Sequence, residues 1–253
     1  MEANSKNKLF GLLGKNISYS FSREHFTNKF KDLGYTNHQY VNFDLQEIGE
    51  LKEVLIKNKN VLGGINITIP YKQEVMAFLD SIDEDAEKIG AVNTMKFLKD
   101  GTIKGYNTDF YGFKNSIKPF LKKHHTKALL LGAGGASKAI AYAFEKMDIA
   151  YKFVSRKKRN KDVFTYEEIT PEVIQEYTVI INCTPLGTYP NIETRPEIPY
   201  QYLNETHLLY DLTYNPEVTT FLRLGKEQGA TIKNGLEMLE LQAEKSWEIW
   251  GEE

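Results

Sequence analysis

The sequence predicts an α/β fold in two domains. Short apolar runs rich in β-branched or aromatic residues alternate with longer amphipathic stretches, the pattern of strands and helices around a mainly parallel sheet. The 253 residues, 41% of them hydrophobic, exceed what one typical core of about 100–150 residues needs. A glycine-rich turn in mid-chain, between an apolar run and an amphipathic stretch, marks a βα unit of a second core.

The elements follow in chain order. Residues 9–13 read as a strand, and Phe26, Phe30 and Leu33 lie on one side of the next helix. Residues 40–43 are a second strand, with Leu51, Val54 and Leu55 striping the helix after it. Ile65, Ile67 and Ile69 alternate with Asn66 and Thr68, the period-two pattern of a strand with one polar face. Pro70 suits the first turn of a helix, and Val75, Phe78, Leu79 and Ile82 are spaced as its apolar stripe. Asp100 and Gly101 separate residues 92–98 from 102–106, which reads as a hairpin. A connecting helix is expected over 110–122. A βαβ unit then runs through 127–131, 136–147 and 151–154, followed by strands at 179–181 and 208–210. Leu236, Leu239, Ala243, Trp247 and Trp250 give a long amphipathic helix to finish. The expected organisation is a catalytic substrate domain over 1–108, a Rossmann-type dinucleotide domain over 109–234, and a final helix over 235–253 packing back on the first domain.

Composition narrows the partners. Lys plus Arg total 32 against 34 Asp plus Glu, a net charge of −2, so no lopsided field drives binding to nucleic acid or to anionic lipid. No apolar run approaches the roughly 20 residues that cross a bilayer. The opening MEANSKNK has no apolar stretch of the signal-peptide kind, and Cys183 is the lone cysteine, so a cytosolic compartment is expected. His25, His38, His124, His125 and His207 show no metal-ligand spacing, and no metal is expected. The implied partner is a small molecule, acted on by a monomer or homodimer.

Residues 129–137, Leu-Leu-Leu-Gly-Ala-Gly-Gly-Ala-Ser, follow a strand and open a helix, the context in which glycines let backbone N–H groups approach a pyrophosphate. Gly132 and Gly134 match the first two glycines of the dinucleotide fingerprint, Gly135 and Ala136 continue the turn, and Ser137 takes the third glycine's place. The helix N-terminus adds positive potential. At the end of the next strand come Ser155, Arg156, Lys157, Lys158 and Arg159, where an NAD site would place a carboxylate on the ribose. A guanidinium there favours a 2′-phosphate, hence NADP. Without a ligand the same residues would be a tight βα turn and a solvated basic loop. Lys72 follows the polar strand, in the first turn of the helix expected there, where the helix dipole disfavours its charged form. Asp109 follows the hairpin. Together they supply an ammonium and a carboxylate, although a solvated lysine and a helix cap are the ordinary uses of both.

At these residues the chain resembles the shikimate dehydrogenase family over nearly its whole length. Residues 11–22 look like the family's opening substrate loop, and Asn66-Ile-Thr-Ile-Pro-Tyr-Lys72 is similar to its N-V-T-x-P-x-K segment. Residues 91–94 resemble its second asparagine site, and 105–112 its G-x-N-T-D-x-x-G segment. Residues 132–137, 182–187, 211–216 and 234–242 follow in family order. The resemblance implies reversible reduction of the 3-dehydroshikimate ketone to shikimate with NADPH, in aromatic biosynthesis, with Lys72 as acid/base and Asp109 orienting it. It implies further that Ser20, Ser22 and Tyr214 hold the substrate carboxylate while Asn66, Thr68, Asn93, Asp109 and Gln242 hold hydroxyls. It also places Gly235 and Met238 near the nicotinamide and Thr184 near the diphosphate or ribose. The chain departs from the family at Asn16, Tyr19 and Arg23 in the opening loop, and at Thr188 after the Asn182 segment. Two other readings fit the same motifs: an NAD-dependent quinate/shikimate dehydrogenase, which the basic 156–159 stretch disfavours, and a non-catalytic nucleotide-binding relative.

Overall fold

Half-buried and buried positions run from Leu9 along strand β1 (Lys8–Gly14), and further on the Ser20 hydroxyl accepts from Arg23 N and caps helix α1 (Phe21–Asp32). The computed structural model describes residues 7–17, 20–158 and 163–251; Tyr19 and Arg159 lie outside them. The first unit comprises Met1–Thr108 with Ala243–Glu253, and the second Asp109–Gln242.

In the first unit β1 and α1 are followed by β2 (His38–Asp44), α2 (Leu51–Asn58), β3 (Leu62–Ile67), β4 (Ser81–Ile82), α3 (Glu84–Ile89), β5 (Thr94–Phe97) and β6 (Ile103–Tyr106). The sheet order is β2-β1-β3-β5-β6-β4. β1 runs parallel to β2 and β3, whereas β5 is antiparallel to β3 and β6, as the Asp100–Gly101 hairpin requires. One face carries Leu13, Ile65, Ile67, Leu51 and Val75 as a core. On another core Phe10, Phe26, Phe30 and Tyr40 pack with Ala243, Ile249 and Trp250. The Trp250 indole N–H donates to Met95 O at 3.0 Å, which satisfies the one polar atom that burying this ring removes from water.

The helix expected after Pro70 is a turn followed by a 3-10 helix at Glu74–Phe78. Leu79 is extended, Asp80 N donates to Ile103 O, and Asp80 Oδ2 accepts from Ile103 N, so the chain is drawn into β4 beside β6 before a second helical turn can form. The period-two pattern also stops early: β3 ends at Ile67, and Ile69 is 71% exposed.

The second unit contains α4 (Asp109–Ile117), β7 (Lys127–Leu131), α5 (Gly135–Glu145), β8 (Ala150–Val154), β9 (Val163–Phe164), α6 (Pro171–Glu176), β10 (Val179–Asn182), β11 (Leu208–Asp211), α7 (Thr220–Glu227), β12 (Thr231–Lys233) and the start of α8 (Leu236–Gly251). Its sheet is parallel throughout, in the order β12-β11-β10-β7-β8-β9. Ala128, Leu130, Val179, Ile181, Leu208 and Tyr210 face one core, while Leu129, Leu131, Ile180 and Leu209 face the other. Burial of both faces explains why these strands read as unbroken apolar runs. The chain leaves β7 toward β9 and returns to start outward again at β10, so the direction reverses between β7 and β10. In open α/β sheets ligands bind outside the carboxyl ends of strands at such a reversal. The segment expected as a separate final helix divides: residues 236–242 belong to the second unit, where Met238 joins the core, and 243–251 to the first. Among the described residues no helix is long and apolar enough to cross a membrane.

Candidate active site

The carboxyl ends of β7 and β10 meet at the glycine turn. Gly132 has φ +107, a region closed to residues with a side chain, and a Cβ there would stand 3.1 Å from Thr184 Cγ2. Its N–H donates to Val154 O at 2.8 Å, tying the turn to the end of β8. Gly134 is the N-cap of α5 and supplies no side-chain cap, and a Cβ at Gly134 or Gly135 would meet nothing within 4 Å. The first N–H groups of α5 therefore border open space, as an anion cradle requires. Ser137 replaces the third glycine without cost to the turn: it is buried, and its hydroxyl donates back to Gly134 O at 2.7 Å. Half-buried Ser155 and exposed Arg156 and Lys157 follow β8 directly, while Lys158 pairs with Glu168. These residues fit a phosphorylated dinucleotide.

Beside the turn, Asn182 and Asp211 brace two loops. Asn182 accepts from Thr184 N and Thr184 Oγ1 at 3.0 and 2.6 Å and donates to Asp211 Oδ1 at 3.1 Å. Asp211 also accepts from Thr213 N at 2.9 Å and Thr219 Oγ1 at 2.6 Å. Burial is the dominant influence and holds this carboxyl above its ordinary range, although those donors pull it down. The Thr184 hydroxyl is thus committed to shaping its own loop, and its methyl faces Gly132. Cys183 is half-buried, and the desolvation of its thiol raises it far above the usual range, so it is a poor nucleophile. Gly235 is required by close approach: a Cβ would lie 2.2 Å from Leu212 O.

In the first unit the polar face of β3 leads into a buried hydrogen-bonded cluster. Tyr40 OH donates to Asn66 Oδ1 at 2.9 Å, and Asn66 Nδ2 donates to Thr94 Oγ1 at 3.2 Å and Ser246 Oγ at 2.9 Å. Both Asn66 amide protons are directed at protein partners, while Oδ1 accepts from Tyr40 and has capacity for a second donor. Asn93 Oδ1 accepts from Thr108 N at 2.7 Å and Thr94 Oγ1 at 3.0 Å, and Asn93 Nδ2 donates to Thr108 Oγ1 at 3.0 Å. Ser22 is buried and hydrogen-bonds Tyr40, while Ser20 serves as the α1 cap. Burial pushes the Tyr40 phenol well above its ordinary range, so it acts as a neutral donor.

Lys72 is half-buried in the turn after Pro70, not on a helix, so no helix dipole acts on it as the sequence suggested; its carbonyl accepts from Val92 N at 2.7 Å. Thr68 is half-buried, and its N–H donates to Leu13 O at 2.8 Å. Asp109, buried, opens α4 directly after Thr108. Tyr214 is half-buried in the loop after β11, and Gln242 is buried on α8 with Nε2 donating to Leu239 O. Sequence reasoning passed over Thr94, Thr108, Asn182 and Asp211 although they stand inside the motifs it used. Tyr40 carried no local signal, and Ser246 carried only its place four residues beyond Gln242, on the same helix face. Among the described residues no group of three His, Cys, Asp or Glu is placed to hold a metal ion.

A parallel sheet in this strand order, with an uncapped glycine turn at its reversal point, defines a dinucleotide-binding α/β protein. Residues 12–95 match the family description "Shikimate dehydrogenase substrate binding domain". Shikimate dehydrogenase (NADP(+)) of Methanosphaera stadtmanae is 37% identical, covering 97% of this chain and 92% of its own length. That of Methanococcus maripaludis is 38% identical over 98% and 93%. The crystal structure of shikimate 5-dehydrogenase from Thermus thermophilus in complex with NADP(H) and shikimate superposes with a TM-score of 0.84 at 28% identity, covering 96% of this chain and 93% of that one. The chain belongs to the shikimate dehydrogenase family.

Proposed function

We propose that this chain is an NADP-dependent shikimate dehydrogenase, which reversibly reduces 3-dehydroshikimate to shikimate on the cytosolic route to aromatic amino acids. One observation carries the reading: in a chain related to such enzymes over nearly its full length, Lys72 and Asp109 both stand at the motif positions where the chemistry needs them.

The residues that would hold the cofactor are Gly132, Gly134, Gly135 and Ala136 at the diphosphate, Ser155, Arg156 and Lys157 at the 2′-phosphate, and Thr184, Gly235 and Met238 lining the remainder. When bound, the reduced nicotinamide supplies hydride to the carbonyl carbon. The oxygen then gains negative charge, and a preorganised cation that can also release a proton lowers the barrier. Lys72 delivers that proton in reduction and removes it in oxidation, and Asp109 holds the reacting hydroxyl and orients the ammonium. Ser20, Ser22 and Tyr214 bind the carboxylate end, and Thr68, Asn93 and Gln242 bind hydroxyls. Asn66 joins them at a hydroxyl through Oδ1, the end of its carboxamide that takes one bond from Tyr40 and can accept another. The chain works as a monomer or homodimer.

The test is a cofactor and substrate panel followed by absorbance. NADPH loss with 3-dehydroshikimate is expected at a catalytic efficiency well above that with NADH, and shikimate oxidation well above quinate oxidation. A preference for NADH and quinate would replace this reading with the quinate one, and no turnover with any pair would leave a nucleotide-binding relative.

A further inference from the structure

Three hydroxyls meet beneath Asn66 and Asn93. Ser246 Oγ is 2.9 Å from Thr94 Oγ1 and 3.2 Å from Thr108 Oγ1, and it accepts from Asn66 Nδ2 at 2.9 Å. Ser246 and Thr94 are 0% exposed and Thr108 is 1% exposed, so bulk water cannot solvate them and each hydroxyl must find its partners inside the protein.

The Tyr40 hydroxyl donates to Asn66 Oδ1, and the Asn66 amide protons point at Thr94 and Ser246. Ser246 Oγ and Thr94 Oγ1 share a hydrogen bond at 2.9 Å in which either hydroxyl can donate, and Thr94 is the nearer of the two threonines. Thr94 donates to Asn93 Oδ1 at 3.0 Å. Ser246 lies inside α8, where alanine fills a buried helical position with better propensity and no polar atom to satisfy. The hydroxyl stands at a site where it costs helix stability and where it touches Asn66 directly and Asn93 through Thr94.

We propose that Ser246 is a positioning residue for the reaction: acting through Thr94, it sets the orientation in which Asn93 meets the substrate. The proposal rests on the functional reading above for the role of Asn93.

The experiment compares wild type, Ser246→Ala, Thr94→Val and the double variant, with kinetics measured for shikimate and for NADP. Ser246→Ala is expected to lower kcat/KM for shikimate about tenfold, because small misplacement of a substrate-holding group is costly, while KM for NADP stays within about twofold of wild type. The double variant is expected to lose little beyond the larger single loss, since both substitutions cut one path. A loss below about threefold in Ser246→Ala, an equal rise in KM for NADP, or a combined loss equal to the product of the single ones overturns the proposal. Should Ser246→Ala fail to show a cooperative melt, Ser246→Cys, which keeps the volume and weakens the hydrogen bonds, carries the same comparison. A wild type without shikimate oxidation would instead remove the functional reading, so the two failures are told apart.

Discussion

Lys72 is held from behind: its carbonyl accepts from Val92 N, and Tyr71 beside it is buried with its hydroxyl donating to Leu45 O at 2.8 Å. The turn that carries the ammonium is therefore fixed by its neighbours, and truncation of the side chain leaves the scaffold standing. Lys72→Ala is expected to cut turnover about 10²–10⁴-fold, the usual worth of a positioned acid/base group. Shikimate affinity, measured by calorimetry, should change far less, and near-normal turnover would remove Lys72 from the chemistry. Asp211 offers a second residue-scale check, with pH as the variable. Its folded value lies above the ordinary 3.8 because burial opposes the charge. The stability linked to this group is thus fully present below about 3.8 and is lost as pH rises through the raised folded value. Urea unfolding of wild type and Asp211→Asn across acid and neutral pH should show wild type losing stability relative to the variant as pH rises, the difference removing the other carboxylates. A difference that stays flat or runs the other way would contradict the burial argument.

At the scale of elements, what was legible in the sequence was whatever a short repeat or a turn residue encodes. The β1, β3, β7 and β10 strands announced themselves by apolar runs, the hairpin by Asp100 and Gly101, and α8 by its apolar stripe. The stripe after Pro70 misled because a strand pairing of only two residues, β4 with β6, outweighs helical propensity when Asp80 bonds both ways to Ile103. α3, α6, α7, β9 and β12 are short, and their boundaries depend on partners distant in sequence. The glycine turn was legible because its conformation needs particular residues, whereas the Tyr40–Asn66–Ser246 cluster joins positions up to 206 apart and has no local pattern to show. Gly235 tests this logic of close approach. In Gly235→Ala the new methyl would collide with the Leu212 carbonyl, where backbone must move on one side or the other. Overpacking of this kind costs about 1–3 kcal/mol, so thermal melting should show a fall of several degrees. An unchanged melt would mean that the junction between β12 and α8 yields freely.

For the whole molecule, the division of labour follows from how each sheet is covered. The second unit buries both faces of a parallel sheet and leaves its strand ends, where main-chain N–H groups gather, as the place to bind charge. The first unit brings Asn66, Asn93, Thr94, Thr108 and Ser246 together in one buried hydrogen-bonded group, the side proposed for the substrate. This assignment makes a spatial prediction about NADP. At a concentration near 100 times its Kd, NADP should stabilise the folded chain by about 2.7 kcal/mol, and at short labelling times hydrogen exchange reports local opening in place of global unfolding. Added protection should then appear in the first turn of α5 and in residues 155–158, where phosphates would meet backbone N–H groups and basic side chains. The amides of β1, β2 and β3 should exchange as they do without ligand. Protection spread evenly over both units at those times, or absent from α5, would break the link between the glycine turn and the cofactor, because a diphosphate that does not quiet those N–H groups is not bound by them.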